Sequence, residues 1–180
     1  MAGLEIPDEG QVIKAANMMI HYLPQNPIFN EEDTVLESVQ NMIHHHANED
    51  ELVKAKTMMT RLGITDFEQK TSELSGGQRK RLALVSVLIT PCDILILDEP
   101  TAALDPIAEY EVYAKFDELI GTKTAVYISH RLSSCQFCND ILVIDDGKAV
   151  QRGSHEKLID EEGLYAKLWK IQAKYYQKTQ

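Results

Sequence analysis

The residues best suited to chemistry lie in one stretch, residues 74–105. Near its start, Ser-Gly-Gly at 75–77 stands directly ahead of a run with helical spacing at 78–89. Two glycines let the backbone approach a ligand closely, and a helix N-terminus directs free N–H groups and its dipole toward an anion. This part of the sequence therefore predicts a phosphate-binding turn.

An acidic pair follows the next apolar run. Four aliphatic residues at 94–97, bounded by Pro91 and Pro100, predict a strand buried on both faces of a parallel sheet. Asp98 and Glu99 come at its carboxyl end, where open α/β sheets place their ligands. Asp98 suits a Mg²⁺ ion that bridges phosphates, and Glu99 suits polarising an attacking water. An acidic loop after a core strand is the alternative, and the glycine turn upstream weighs against it.

The same residues resemble motifs of ATP-binding cassette (ABC) proteins. LSGGQ at 74–78 resembles their signature motif, the run ending in DEPT at 98–101 their Walker B strand, and ALD at 103–105 their D-loop. YLPQNP at 22–27 is similar to the Q-loop, and ISHR at 128–131 to the switch-histidine segment. The resemblance covers essentially the whole chain from Ala2. It implies an α/β, P-loop NTPase-like (RecA-like) fold: a mostly parallel sheet with helices on both faces, an antiparallel N-terminal portion and an α-helical subdomain.

The resemblance also implies a role for each matching residue, with ATP and Mg²⁺ as the ligands. Nucleotide contacts fall to the signature and D-loop positions Ser75, Gly76, Gly77, Gln78 and Asp105. Glu99, His130 and Gln25 are the implied catalytic residues. Asp98 and Gln25 are the implied contacts of the magnesium ion.

One expected motif is absent from the sequence. None of the nine glycines opens G-x-x-x-x-G-K-[ST], and the Gly-Lys pair at 147–148 lacks the upstream glycine. That Walker A loop supplies the main cradle of the β- and γ-phosphates. We expect its strand, which would neighbour residues 94–97, to be missing. We therefore expect a chain that folds poorly or only with a partner, and no ATP hydrolysis by the chain alone.

Two segments resemble different branches of the family. Residues 2–100 resemble the soluble, translation-associated ABC-F type, and residues from 101 onward resemble the nucleotide-binding domain of an ABC exporter. Three functions remain open: an ATPase domain, incomplete or completed by another polypeptide; a non-catalytic half that lends LSGGQ to a partner's ATP; and a ribosome-associated translation factor. The implied partners are a second nucleotide-binding domain in a dimer sandwich and a membrane-spanning transporter subunit.

Composition and charge limit the partners and the cellular compartment that we expect for the protein. The 180 residues carry a formal charge of -10, with a pI of about 5.0, which argues against nucleic acid or the ribosome as a partner. No apolar run approaches a membrane span, and the first residues lack a signal-peptide pattern. Three cysteines, an odd number, suit a reducing compartment. We expect a cytoplasmic protein, peripheral at the inner face of the cell membrane if a transporter is its partner.

The periodicity predicts the order of the elements. We expect one domain, with a helical subdomain at 31–90, a Walker B to switch-histidine core at 91–153, and C-terminal helices at 154–180. Within it we predict strands at 11–14, 18–23 and 124–129, two helices within 31–62, a hairpin at 141–151, and a helix from Pro106. The core face of that helix is predicted to be Ile107, Tyr110, Tyr113, Phe116 and Ile120. Strand 124–129 is expected to be buried and to bring His130 close to Glu99.

A histidine run, a cysteine pair and a basic run are not expected to form functional sites. His44, His45 and His46 are consecutive, so on a helix they point about 100° apart and cannot all face one ion. Cys135 and Cys138 have zinc-ligand spacing without a second pair, so no metal or redox role is expected. The basic run at 79–81 is expected to be a solvated helix face.

Overall fold

The structure is a computed structural model that describes residues 7–43, 49–101, 104, 106–114 and 116–177. The chain divides into two compact units, Met1–Ile128 and Ser129–Gln180. His44, His45, His46 and Asp105 lie outside the described residues, so their predicted roles stay predictions.

The first unit is built on a three-stranded parallel sheet. Its strands are β1 (Ile20–Leu23), β2 (Ile94–Asp98) and β3 (Thr124–Ile128), in the order β1-β2-β3. Both pairs are parallel, with Leu23 opposite Leu97 and Leu97 opposite Tyr127. The α/β class with a parallel sheet is confirmed. The strand predicted at 11–14 and the antiparallel N-terminal portion are wrong, because residues 11–15 are irregular and β1 joins the parallel sheet.

Strand β2 occupies the centre of this sheet. Its middle residues are buried, and each of its edges is already paired, one with β1 and the other with β3. Residues 94–97 therefore have no unpaired edge for a further strand. The prediction that a Walker A strand would lie beside them is wrong. Strand β3 is also less buried than predicted, since Thr124, Val126 and Ile128 are exposed on one of its faces.

The helices between β1 and β2 confirm the predicted pattern. They are α1 (Val35–Met42), α2 (Glu49–Arg61) and α3 (Gly76–Ile89), with a 3₁₀ turn at Thr71–Glu73 before α3. The buried apolar residues of this region include Val35, Val39, Ala55, Met59, Leu82, Val85 and Leu88.

Helices α4 (Pro106–Ala114) and α5 (Phe116–Ile120) follow β2, and Gly121 ends them with φ of 62°. The predicted core face is wrong at Ile107 and Tyr110, which are 74% and 60% exposed. The prediction is confirmed at Tyr113 and Phe116, which are buried, and Glu109 is buried as well. Thr101 Oγ1 donates to Glu109 Oε1 at 2.6 Å and lies 3.2 Å from the Tyr113 hydroxyl. This buried network sets which face of α4 turns inward.

The second unit contains the predicted hairpin and two helices. A 3₁₀ turn (Leu132–Phe137) precedes β4 (Ile141–Asp145), β5 (Lys148–Gly153), α6 (His155–Asp160) and α7 (Leu164–Gln177). The hairpin turns at Asp146 and Gly147, both with positive φ, as two-residue hairpin loops require. Leu132, Ile141, Leu158 and Tyr165 form its core. Along the described part of the chain, no helix combines the length and apolarity needed to cross a bilayer.

Candidate functional site

The N-terminus of α3 is a capped turn whose backbone amides can face an anion. Ser75 is the N-cap: its Oγ accepts a hydrogen bond from the Gln78 N–H at 3.2 Å. The Gln78 side chain completes a capping box by accepting from the Ser75 N–H at 2.9 Å. The amides of Gly76 and Gly77 stand at the first two helical positions, where no carbonyl one turn earlier is available to them.

The accessibility of this turn fits a ligand that arrives from outside. Ser75 and Gly76 are exposed, whereas the preceding Leu74 is buried and anchors the segment. We call Ser75, Gly76 and Gly77 the signature turn. Gln78 is engaged in the cap, and its predicted nucleotide contact stays a prediction.

The acidic strand end, Asp98 and Glu99, lies at the carboxyl end of β2. The Tyr22 hydroxyl, on β1, donates a hydrogen bond to Asp98 Oδ2 at 3.0 Å. Burial raises the pKa of the Tyr22 phenol, and its hydrogen bond to the Asp98 carboxylate raises it further. The phenol therefore stays a donor that orients Asp98.

Asp98 fits the chemistry of a magnesium contact. A carboxylate offers about four lone-pair positions, so accepting one phenol leaves capacity for a cation. No group of three or more metal-capable side chains occurs among the residues that the structure describes. Mg²⁺ commonly binds through one or two carboxylates together with substrate phosphates. The site thus suits a cation that arrives with a phosphate ligand.

Glu99 is buried in a sparsely populated backbone conformation. Its φ is 46°, in the left-handed region, and the residue is 8% exposed. Its N–H donates to the Ile128 carbonyl of β3 at 2.9 Å. Left-handed backbone costs about 1–2 kcal/mol for a residue with a Cβ, so surrounding contacts must hold it.

Lys80 supplies such a contact, and sequence reasoning missed it. This residue of α3 is 6% exposed, and its Nζ donates to the Glu99 carbonyl at 3.3 Å. Burial lowers the pKa of Lys80, and the negative charges of Asp98 and Glu99 partly oppose that shift.

The solvated face predicted for the basic run is therefore wrong. Arg81 also turns inward and donates to the Leu62 carbonyl at 3.0 Å. The missed signal is the unbroken apolar run at 82–85, all of it buried. Residues 82–86 are buried on successive sides of α3, so the basic residues just before them also lie against the protein, where Lys80 and Arg81 donate to backbone carbonyls.

Gln25 shares an edge of the sheet with the acidic pair. It is exposed and follows β1 by two residues. Because β1 and β2 are parallel with Leu23 opposite Leu97, Gln25 and Asp98 both extend from the carboxyl edge of the sheet. The fold places both residues at the same edge of the sheet, while Gln25's catalytic and magnesium roles stay predictions.

His130 belongs to the second unit, and its closeness to Glu99 stays a prediction. Its exposed position follows β3 by two residues. Gln172 of α7 holds the segment by a double contact: its Nε2 donates to the His130 carbonyl at 2.8 Å, and its Oε1 accepts from the Leu132 N–H at 3.0 Å. The backbone beside the histidine is therefore fixed within its own unit.

Comparison with known proteins identifies the family. The family described as ABC transporter matches residues 1–102, more than half of the chain. This chain belongs to the ABC transporter family. The ATP-dependent lipid A-core flippase of Vibrio vulnificus (strain CMCP6) is 48% identical over 101 residues, which are 56% of this chain and 17% of the flippase.

Two further ABC proteins resemble a longer part of the chain. The lactococcin-A transport/processing ATP-binding protein LcnC of Lactococcus lactis subsp. lactis is 36% identical over 161 residues, 84% of this chain and 22% of LcnC. A solved structure of a bacterial Atm1-family ABC exporter with ATP bound superposes with a TM-score of 0.72 at 27% identity. It covers 86% of this chain, which matches 28% of the exporter.

The alignment with LcnC covers 84% of this chain, so it includes most of residues 1–100 as well as the segment after residue 100. The likeness to exporter proteins is therefore not confined to that later segment. They also confirm the P-loop NTPase-like fold. The chain spans about a fifth of the length of the curated relatives that it matches.

Proposed function

We propose that this chain is an ATP-binding part of an exporter-type ABC transporter, in which the signature turn closes over an ATP held by a second cassette. The supporting observation is the link through Lys80. The helix that opens with the signature turn also binds, five residues later, the backbone of Glu99. At a rise of 1.5 Å per residue, the turn and this link lie about 7.5 Å apart along α3.

Each residue set has a distinct part in this proposal. The exposed signature turn offers its amides, the Ser75 hydroxyl and the helix dipole to the partner's phosphates. On the chain's own side, Asp98 contacts Mg²⁺ and Glu99 polarises a water, with Gln25 and His130 beside the γ-phosphate and Asp105 beside the nucleotide. The Mg²⁺ ion supplies charge neutralisation on the phosphates.

The sequence holds no G-x-x-x-x-G-K-[ST], so we propose that these 180 residues do not hydrolyse ATP alone. A phosphate-loop strand that completes the site would have to join the sheet somewhere other than β2, since both edges of β2 are paired. The exposed apolar residues Val126 and Ile128 favour the edge of β3. We further propose a cytoplasmic location, beside a membrane-spanning partner.

The test mixes this chain with an intact exporter nucleotide-binding domain and measures ATP hydrolysis. We expect stimulation that is lost with Ser75→Ala and retained with Glu99→Gln, because the signature turn serves the partner's ATP and Glu99 serves the other site. Stimulation lost with Glu99→Gln but not with Ser75→Ala would contradict the proposed division.

Thr34→Ala is the matched control for Ser75→Ala. Thr34 is the N-cap of α1 and also forms a capping box, with Glu37. Removing either cap should cost about 1 kcal/mol of stability. Only the Ser75 change should abolish stimulation. If both variants lost the stimulation equally, the loss would follow from lower stability. That result would contradict a phosphate role for the signature turn.

A further inference from the structure

Cys135 and Cys138 sit in one closed turn of the second unit. Cys135 belongs to the 3₁₀ turn Leu132–Phe137, and Cys138 is its C-cap. The Cys138 N–H donates to the Cys135 carbonyl at 3.0 Å. Such a bond between positions i and i+3 brings their Cα atoms within about 7 Å, and a disulfide needs about 4.4–6.8 Å.

Each sulfur lies beside a carbonyl one turn earlier, Cys135 Sγ at 4.0 Å from Arg131 O and Cys138 Sγ at 3.8 Å from Ser134 O. A thiol is a weak hydrogen-bond donor, so neither contact locks the sulfur in place. Neither cysteine is part of a disulfide, and both are half-buried.

We propose that Cys135 and Cys138 are a reversible dithiol–disulfide site that reacts with low-molecular-weight disulfides. The spacing alone pointed to no such role, and the closed turn provides the reason to assign one. The chemistry does not depend on the proposed ATP-linked function.

The reaction balances in two exchange steps. One cysteine loses its proton, and its thiolate attacks a small disulfide, forming a protein–S–S–R bond and releasing one thiolate RS⁻. The second cysteine then attacks the protein sulfur of that mixed disulfide and releases the second RS⁻. The protein dithiol is oxidised by two electrons, the small disulfide is reduced to two thiols, and the two cysteine protons end on them.

The neighbourhood links this site to the switch-histidine segment. The Arg131 carbonyl that lies beside Cys135 Sγ also accepts from Ser134 Oγ at 2.7 Å. Arg131 directly follows His130 in the chain. Closing the disulfide removes the Cys135 S–H donor, so we expect the backbone at 131–134 to change its hydrogen exchange on oxidation.

The test equilibrates the full chain with mixtures of reduced and oxidised glutathione, then alkylates the remaining thiols and measures intact mass. We expect the oxidised form to lose two hydrogens and two of its three alkylation sites, with a Cys135–Cys138 peptide as the product. The equilibrium constant should be at least about tenfold larger in the folded chain than in concentrated urea, because the turn holds the pair together.

Cys92 provides the matched control. It is a half-buried cysteine of the first unit, and burial raises the pKa of its thiol. Cys92→Ser should leave the two-thiol loss unchanged, whereas Cys135→Ser or Cys138→Ser should trap one glutathione on the remaining partner. Separate glutathione adducts on both cysteines of the unmutated chain, or equal constants in the folded and unfolded chain, would overturn the proposal.

Discussion

The signature turn and the acidic strand end are both candidate phosphate sites, yet they are held in opposite ways. The turn depends on a capping box between Ser75 and Gln78, three residues apart in sequence, and it faces outward. The acidic end depends on Tyr22, 76 residues away from Asp98, and on Lys80, 19 residues away from Glu99. The turn can therefore be presented to an outside ligand, whereas the acidic pair is set by the folded sheet.

Among the variants that test this difference, we expect the largest loss of stability at Lys80. Lys80→Ala should lower the free energy of unfolding by about 2 kcal/mol, because it removes a packed aliphatic stem and a donor to the Glu99 carbonyl. Chemical denaturation measures this change. Lys70→Ala is the control: that lysine is exposed in an ion pair with Glu32 at 2.8 Å, and no measurable change is expected. Equal effects would contradict the anchoring role of Lys80.

The two lysines should also respond oppositely to pH. Burial lowers the pKa of Lys80 from 10.5, so the unfolded chain binds more protons between that lowered value and 10.5. The contribution of Lys80 therefore rises with pH, and the difference between the unmutated chain and Lys80→Ala should grow from neutral pH toward about pH 10. Glu32 raises the pKa of Lys70, whose contribution is present below 10.5 and is lost as pH rises above it.

The next effect concerns the strained backbone of Glu99. Glycine adopts positive φ without the Cβ penalty, so Glu99→Gly should be more stable than Glu99→Ala by about 1 kcal/mol. Both variants remove the same carboxylate, and their unfolding midpoints can be compared directly. A Glu99→Ala chain that is as stable as Glu99→Gly would mean that the left-handed conformation carries no strain.

The smallest effects belong to the signature turn. Ser75→Ala should lower stability by about 1 kcal/mol and Ser75→Gly by only a few tenths, since glycine is tolerated at an N-cap. Denaturation of the two variants beside Thr34→Ala gives the measurement. A stability loss in Ser75→Ala well above that in Thr34→Ala would indicate that Ser75 makes contacts beyond its local cap. The signature turn would then not be held by local hydrogen bonds alone, which would weaken its contrast with the acidic strand end.

The same contrast explains what could be predicted from sequence. Helices α1 to α3, the strand at 94–97 and the hairpin at Asp146-Gly147 follow from local spacing, capping and turn residues. The inward turn of Lys80 and the phenol on Asp98 depend on which elements become neighbours, and local patterns do not carry that information. The exposed Ile107 and Tyr110 show the same limit, because the burial of the neighbouring Glu109 depends on a hydrogen bond from Thr101, which precedes the helix.

Thermal unfolding of the chain with and without MgATP shows whether these residues bind the nucleotide on their own. A ligand at a hundred times its dissociation constant stabilises a folded protein by about 2.7 kcal/mol, which would raise the midpoint visibly. Because the main phosphate cradle would lie outside these residues, we expect an unchanged midpoint. A cooperative transition that rises with MgATP, and no longer rises in Asp98→Asn, would contradict it.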